Sequence, residues 1–74
     1  MKVKVRLFAR FRELAGSDTV YVEASSSDEI AERLSELLGV DRSEINLLID
    51  GRRPGEQELR EGSDVIAFPP TAGG

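Results

Sequence analysis

The sequence predicts an α+β fold, a mixed sheet of four to five strands with one covering helix, and three observations carry that expectation. Both ends of the chain alternate apolar and polar residues with the period of two that marks half-buried strands. The middle carries one apolar stripe at helical spacing, long enough to cover one face of a small sheet. Strand-like pairs flank that stripe on both sides, an order suited to two layers around a single core.

Val3, Val5 and Leu7 fall on one face of the first strand, with Lys4, Arg6 and Phe8 on the other. From Ala9 to Ala15 the period changes: Phe11, Leu14 and Ala15 stand at i, i+3 and i+4 before Gly16, which predicts a short helical turn closed by glycine. Thr19 to Glu23, rich in β-branched and aromatic residues, reads as a second strand returning antiparallel with Val20 and Val22 inward. Ser26 followed three residues later by Glu29 is a capping box and opens the main helix. Ile30, Leu34, Leu37 and Leu38 form its stripe, Glu32, Arg33, Ser35 and Glu36 face water, and Gly39 ends it. Ile45, Leu47 and Ile49 share a face of a third strand that stops at the Asp50-Gly51 turn. Arg52 to Gln57 contains Pro54 and Gly55, so any strand there is short and on an edge. Leu59 plugs the core below a turn, and Asp64 to Phe68 forms the last strand, halted by Pro69-Pro70.

A hairpin at each end and one crossover helix are joined most simply with the first and last strands parallel at the centre, since crossovers are right-handed. That is the ubiquitin-like β-grasp topology, assigned here to residues 1–68, with 69–74 as a flexible C-terminal Gly-Gly tail. The predicted core is Val3, Val5, Leu7, Phe11, Leu14, Val20, Val22, Ile30, Leu34, Leu37, Leu38, Ile45, Leu47, Ile49, Leu59, Val65 and Ala67.

Composition narrows the function. The 74 residues make one small domain that buries about 60% of its unfolded surface. With 39% hydrophobic and 32% charged residues, the chain is too apolar to be disordered. No cysteine is present, so neither disulfides nor thiolate metal sites are expected and a cytoplasmic location is the default. Histidine is also absent, which removes the commonest general base and metal ligand and argues against a self-contained enzyme. A formal net charge of -4 disfavours nucleic acid and anionic lipid and suits a basic protein partner better. No apolar run approaches a membrane span or a signal peptide, so the mature chain is expected to be the chain shown.

The chemistry is sought at the end of the sequence. Pro69 and Pro70 stiffen the exit from the last strand, and Thr71, Ala72, Gly73 and Gly74 are small enough to thread a narrow channel. Glycine lets a partner's backbone approach closely and leaves the terminal carboxylate unhindered. Taken alone, Gly73-Gly74 reads as a frayed end. The proline pair, the preceding aromatic and the β-grasp order turn the reading toward a functional tail.

Leu7-Phe8-Ala9-Arg10-Phe11-Arg12-Glu13-Leu14-Ala15-Gly16, the Asp50-Gly51 turn, Leu59 before Glu61-Gly62-Ser63-Asp64, and Phe68-Pro69-Pro70 before Gly73-Gly74 resemble the MoaD/ThiS-like sulfur-carrier family over nearly the whole chain. The resemblance implies the small subunit of molybdopterin synthase, in molybdenum or tungsten cofactor biosynthesis. An E1-like adenylating enzyme of the MoeB or ThiF type would activate the Gly74 carboxylate with ATP. A sulfurtransferase system would convert it to a thiocarboxylate, and a MoaE-like large subunit would receive the loaded tail. The chain itself would bind no cofactor or metal, ATP being consumed by the activating partner, and catalytic side chains would belong to partners. The resemblance implies that Phe8 and Phe68 dock; alternation turns both away from the helix, with Ile66 and the Pro69-Pro70 exit beside them. Lys4, Arg6, Arg10, Arg12, Arg52 and Arg53 either ring this patch or, for most of them, are solvated sheet-face charge. Three alternatives stay open: a protein modifier forming isopeptide bonds to lysines of target proteins, as in archaeal small modifiers that resemble MoaD; sulfur delivery to thiamine or tRNA; and a plain adaptor.

Overall fold

The computed structural model describes residues 1–55 and 59–70. Its elements are β1 (Lys2–Leu7), α1 (Arg10–Ala15), β2 (Thr19–Glu23), α2 (Ser27–Leu38), a 3-10 turn (Arg42–Glu44), β3 (Asn46–Ile49) and β4 (Val65–Phe68). They form a four-stranded sheet in the order β2-β1-β4-β3, the expected β-grasp arrangement. β1 pairs antiparallel with β2 and parallel with β4, and β4 pairs antiparallel with β3. The parallel pair lies at the centre, as a crossover through α2 requires.

Strict alternation gives the sheet two unlike faces. Val3, Val5 and Leu7 of β1 and Val65 and Ala67 of β4 are buried under α2, while their neighbours along each strand point the other way. Ile30, Ala31, Leu34 and Leu38 close the core from the helix, joined by Phe11, which α1 inserts at the end of the sheet. Val20, Ile45 and Leu59 pack at the core margin.

The helix ends are chemically specified. Ser26 caps α2, its Oγ accepting from the Glu29 N–H at 3.2 Å, but the returning arm differs from the expected capping box. The Glu29 carboxylate accepts from the Ser25 N–H and the Ser25 hydroxyl, each at 2.7 Å, one residue further out than the cap itself. Gly39, at φ 71°, donates its N–H to the Ser35 carbonyl and ends α2 in the left-handed conformation that a Cβ disfavours.

Several expectations need correction. Leu14 and Leu37, both assigned to the core, are 52% and 55% exposed. On α2 the buried stripe includes Ala31, which moves its centre away from Leu37 and leaves that side chain on the margin. On α1, Phe11 alone fills the available space and Ala15 supplies the second contact. Ala24, buried beyond β2, was not expected; its N–H continues the ladder to the Met1 carbonyl at 2.9 Å. The anticipated weak strand over Arg52–Gln57 is reduced, among the described residues, to one bridge between Ile49 and Arg52 around Asp50-Gly51. Both turn residues have positive φ, 52° and 79°, the tight hairpin for which Asp-Gly is favoured. Pro54 then removes the donor a ladder would need; Gln57 lies outside the described residues.

Candidate functional site

The residues singled out for docking converge on the open face of the sheet, at the end where β4 leads into Pro69. Burial of Val65 and Ala67 leaves Ile66 and Phe68 on the opposite face, both half-buried. Register sets Ile66 between Arg6 of β1 and Leu48 of β3, and sets Phe68 across from Asn46. Phe8 follows β1; its N–H donates to the Ala67 carbonyl at 3.1 Å, so the parallel pairing runs one step beyond the strand and brings Phe8 alongside Phe68. Phe8 is 43% exposed, although keeping an aromatic ring in water is unfavourable.

Local backbone chemistry fixes this end of the sheet. After Phe8 the chain turns at Ala9 with φ 55° and ψ -136°, a conformation rare for a residue with a Cβ, and enters α1 directly. The Asn46 amide donates to the Phe68 carbonyl at 3.4 Å, holding the last residue of β4 to the outer strand. Pro69 is half-buried and Pro70 exposed; neither has an N–H with which to extend the ladder. Thr71, Ala72, Gly73 and Gly74, the expected threading and reacting residues, lie outside the described residues.

Sequence reasoning missed Leu48. Alternation within Leu47-Leu48-Ile49 sends Leu47 and Ile49 to the core and Leu48 to the open face beside Ile66. The signal was present, since an apolar residue on the solvent phase of an alternating strand is out of place unless something covers it. A groove lined by Asn46, Leu48, Arg53, Pro54 and Phe68 continues the apolar surface toward α2.

Of the cations read as a possible rim, Arg6 is fixed by a bidentate pair with Asp64, at 2.9 and 3.2 Å, and Arg10 by an ion pair with Glu44. Arg12, Arg52 and Arg53 are exposed. The titration anomalies lie elsewhere. Hydrogen bonds from Ser25, side chain first and then backbone, with help from nearby Arg33, hold the Glu29 carboxyl below its usual value. The Ser43 N–H does the same for Asp41, the residue that caps the 3-10 turn. Both are capping groups remote from the apolar face. What this face offers chemically is adhesion, and the reacting group expected of the chain is the terminal carboxylate.

Comparison with known proteins follows the fold. No protein-family model matches the chain, and no curated protein does. Among solved structures, one from Pyrococcus furiosus, provisionally described as molybdopterin converting factor, subunit 1, is 30% identical with a TM-score of 0.75 over 96% of this chain and 99% of that one. SAMP1 from Haloferax volcanii is 23% identical with a TM-score of 0.74, covering both chains completely. A complex of subunits 1 and 2 of molybdopterin-converting factor from Helicobacter pylori contains a chain that is 20% identical with a TM-score of 0.66, again over the whole of both chains. The last two likenesses concern the fold.

Proposed function

We propose that this chain, which belongs to the MoaD/ThiS-like β-grasp family, is a sulfur carrier and the small subunit of a molybdopterin synthase in molybdenum or tungsten cofactor biosynthesis. The observation that carries the reading is the match, at 30% identity and over nearly the full length of both chains, to the Pyrococcus protein described as molybdopterin converting factor, subunit 1. The apolar end of the open sheet face, placed where β4 leads toward the tail, supports it.

The chemistry follows from what the 74 residues lack. A carboxylate is a poor electrophile, and without Cys or His the chain has no nucleophile suited to activating its own. An E1-like partner supplies the activation: a carboxylate oxygen of Gly74 attacks the α-phosphorus of ATP, pyrophosphate leaves, and an acyl adenylate forms. A persulfide sulfur on a sulfurtransferase then displaces AMP to give an acyl disulfide, and a second partner thiol cleaves its S–S bond, leaving the thiocarboxylate on Gly74 and a disulfide on the partner. Phe8, Ile66, Phe68, Pro69 and Pro70 dock the domain on a large subunit of the kind that accompanies subunit 1 in the Helicobacter complex. Thr71, Ala72 and Gly73 carry the loaded end into that partner's active site, where sulfur passes to a cyclic pterin precursor. The chain is a carrier, with catalytic residues on its partners and no bound cofactor of its own.

A second reading has an observation of its own, the end-to-end fold match to SAMP1. The same activated acyl group attacked by a lysine amine gives an isopeptide bond, making the chain a protein modifier. One experiment separates the two. Intact mass measured on protein purified from the source cells should show a population heavier by the exchange of one oxygen for sulfur. A ladder of covalent adducts on denaturing blots, with no sulfur-bearing species, would replace the carrier reading by the modifier reading.

A further inference from the structure

Charge on this molecule is segregated. Lys2, Lys4 and Arg6 occupy alternate positions of β1 on the open face, and the turn before β4 adds Arg60. Together with Tyr21, Gly62, Ser63 and Asp64 they line an open groove of about 380 Å³. The groove holds both lysines of the chain and four of its ten Lys and Arg side chains, but one of its fourteen Asp and Glu side chains. That one, Asp64, is already engaged by Arg6. Lys2, Lys4 and Arg60 have no carboxylate partner among the described residues. Glu23, which faces Lys2 across the strands, pairs with the terminal ammonium at 3.8 Å. On the other side of the sheet, α2 carries Asp28, Glu29, Glu32 and Glu36. Cations without a carboxylate partner thus gather at the end of the open face opposite Phe68, with Glu23 and Glu61 at their border.

From this geometry we infer that the groove formed by Lys2, Lys4, Arg6 and Arg60 binds a carboxylate-rich segment of a partner protein, lying extended along β1. The negative net charge suggested a basic partner, but a net value averages over the two sides of the sheet. Locally the field selects the opposite sign and orients an approaching acidic surface toward the open face. Cations at alternate strand positions repeat at roughly 7 Å, the spacing of alternate side chains on an extended peptide. A nucleic acid strand fits less well. The Tyr21 ring on which a base would stack already has the Lys2 ammonium 5.6 Å from its centre.

The inference is independent of what the tail does, and its test requires no activated protein. Isotopically labelled full-length chain is titrated at low salt with an oligoglutamate peptide and followed by amide resonances, with oligolysine, inorganic phosphate and a single-stranded oligonucleotide as parallel probes. Shifts are expected at residues 2–6, 21 and 60–64 with oligoglutamate, fading as salt is raised. The triple variant Lys2→Gln, Lys4→Gln, Arg60→Gln should bind about tenfold more weakly with its unfolding midpoint unchanged, whereas Arg33→Gln, on α2 across the sheet, should bind as the parent does. Absent or evenly scattered shifts, an unchanged affinity in the triple variant, or phosphate or oligonucleotide binding the same residues as tightly would overturn the inference.

Discussion

Ala67 and Phe68 are neighbours on one strand, yet they belong to different economies. Ala67 is fully buried between sheet and helix, like Val65 two residues earlier, whereas Phe68 and Ile66 look outward from the same backbone. The inner face is closed: every large side chain on it meets α2, Phe11 or another strand. The outer face is open and graded, cationic around Lys2 and Lys4 and apolar around Phe8, Ile66, Leu48 and Phe68. Folding requires the first face and leaves the second uncovered, and the proposed docking rests on that uncovered apolar cluster.

The contrast is sharpest on α2, where Leu34 is fully buried and Leu37 is not. Leu34→Ala should cost about 3–4 kcal/mol, a large part of what so small a domain has, and chemical denaturation will show it. Leu37→Ala should cost less than about 1 kcal/mol; an equal loss would mean that α2 packs differently from this description. Removing the α2 cap by Ser26→Ala should lower stability by about 1 kcal/mol in the same assay, leaving binding to partners unaffected. Ala9→Gly tests the turn that presents Phe8: relieving a positive φ should raise stability by roughly 1 kcal/mol, less what the more flexible unfolded chain takes back. The smallest effect is a pH dependence. Because the folded Glu29 carboxyl titrates below its usual value near 4.5, its stabilising effect is complete above that value and is lost as pH falls through the lower, folded one. Parent and Glu29→Gln should therefore differ in midpoint at neutral pH and converge in acid; a constant gap would mean that the hydrogen bonds from Ser25 do not favour the ionised form.

Much of this was legible in the sequence because the signals were local and redundant. Alternation gave all four strands, Ser26 and Gly39 bracketed α2, and the order of elements forced the parallel centre. Failures came where a choice depended on packing at a distance. Whether Leu37 or Ala31 faces the sheet is a matter of helix rotation, which a stripe of leucines biases without fixing. Leu14 lost its place because Phe11 already filled the end of the core. Leu48 went unnoticed because a short apolar run hides its own alternation. The position of Phe8, Ile66 and Phe68 on the open face was foreseen, and the resemblance to the MoaD/ThiS-like family implied a docking role there; the clustering of Lys2 and Lys4 with Arg60 needed the fold to bring the turn before β4 alongside β1.

Two single variants on adjacent residues test the central division most directly, each followed by chemical denaturation and by binding to the proposed large-subunit partner. Ala67→Asp places an unpaired charge in the core and should leave no folded protein. Phe68→Asp should unfold within about 1 kcal/mol of the parent while binding falls by about 2 kcal/mol or more, some thirtyfold or greater. A Phe68→Asp protein that stays folded and binds as the parent does, or that unfolds as Ala67→Asp does, would contradict the account.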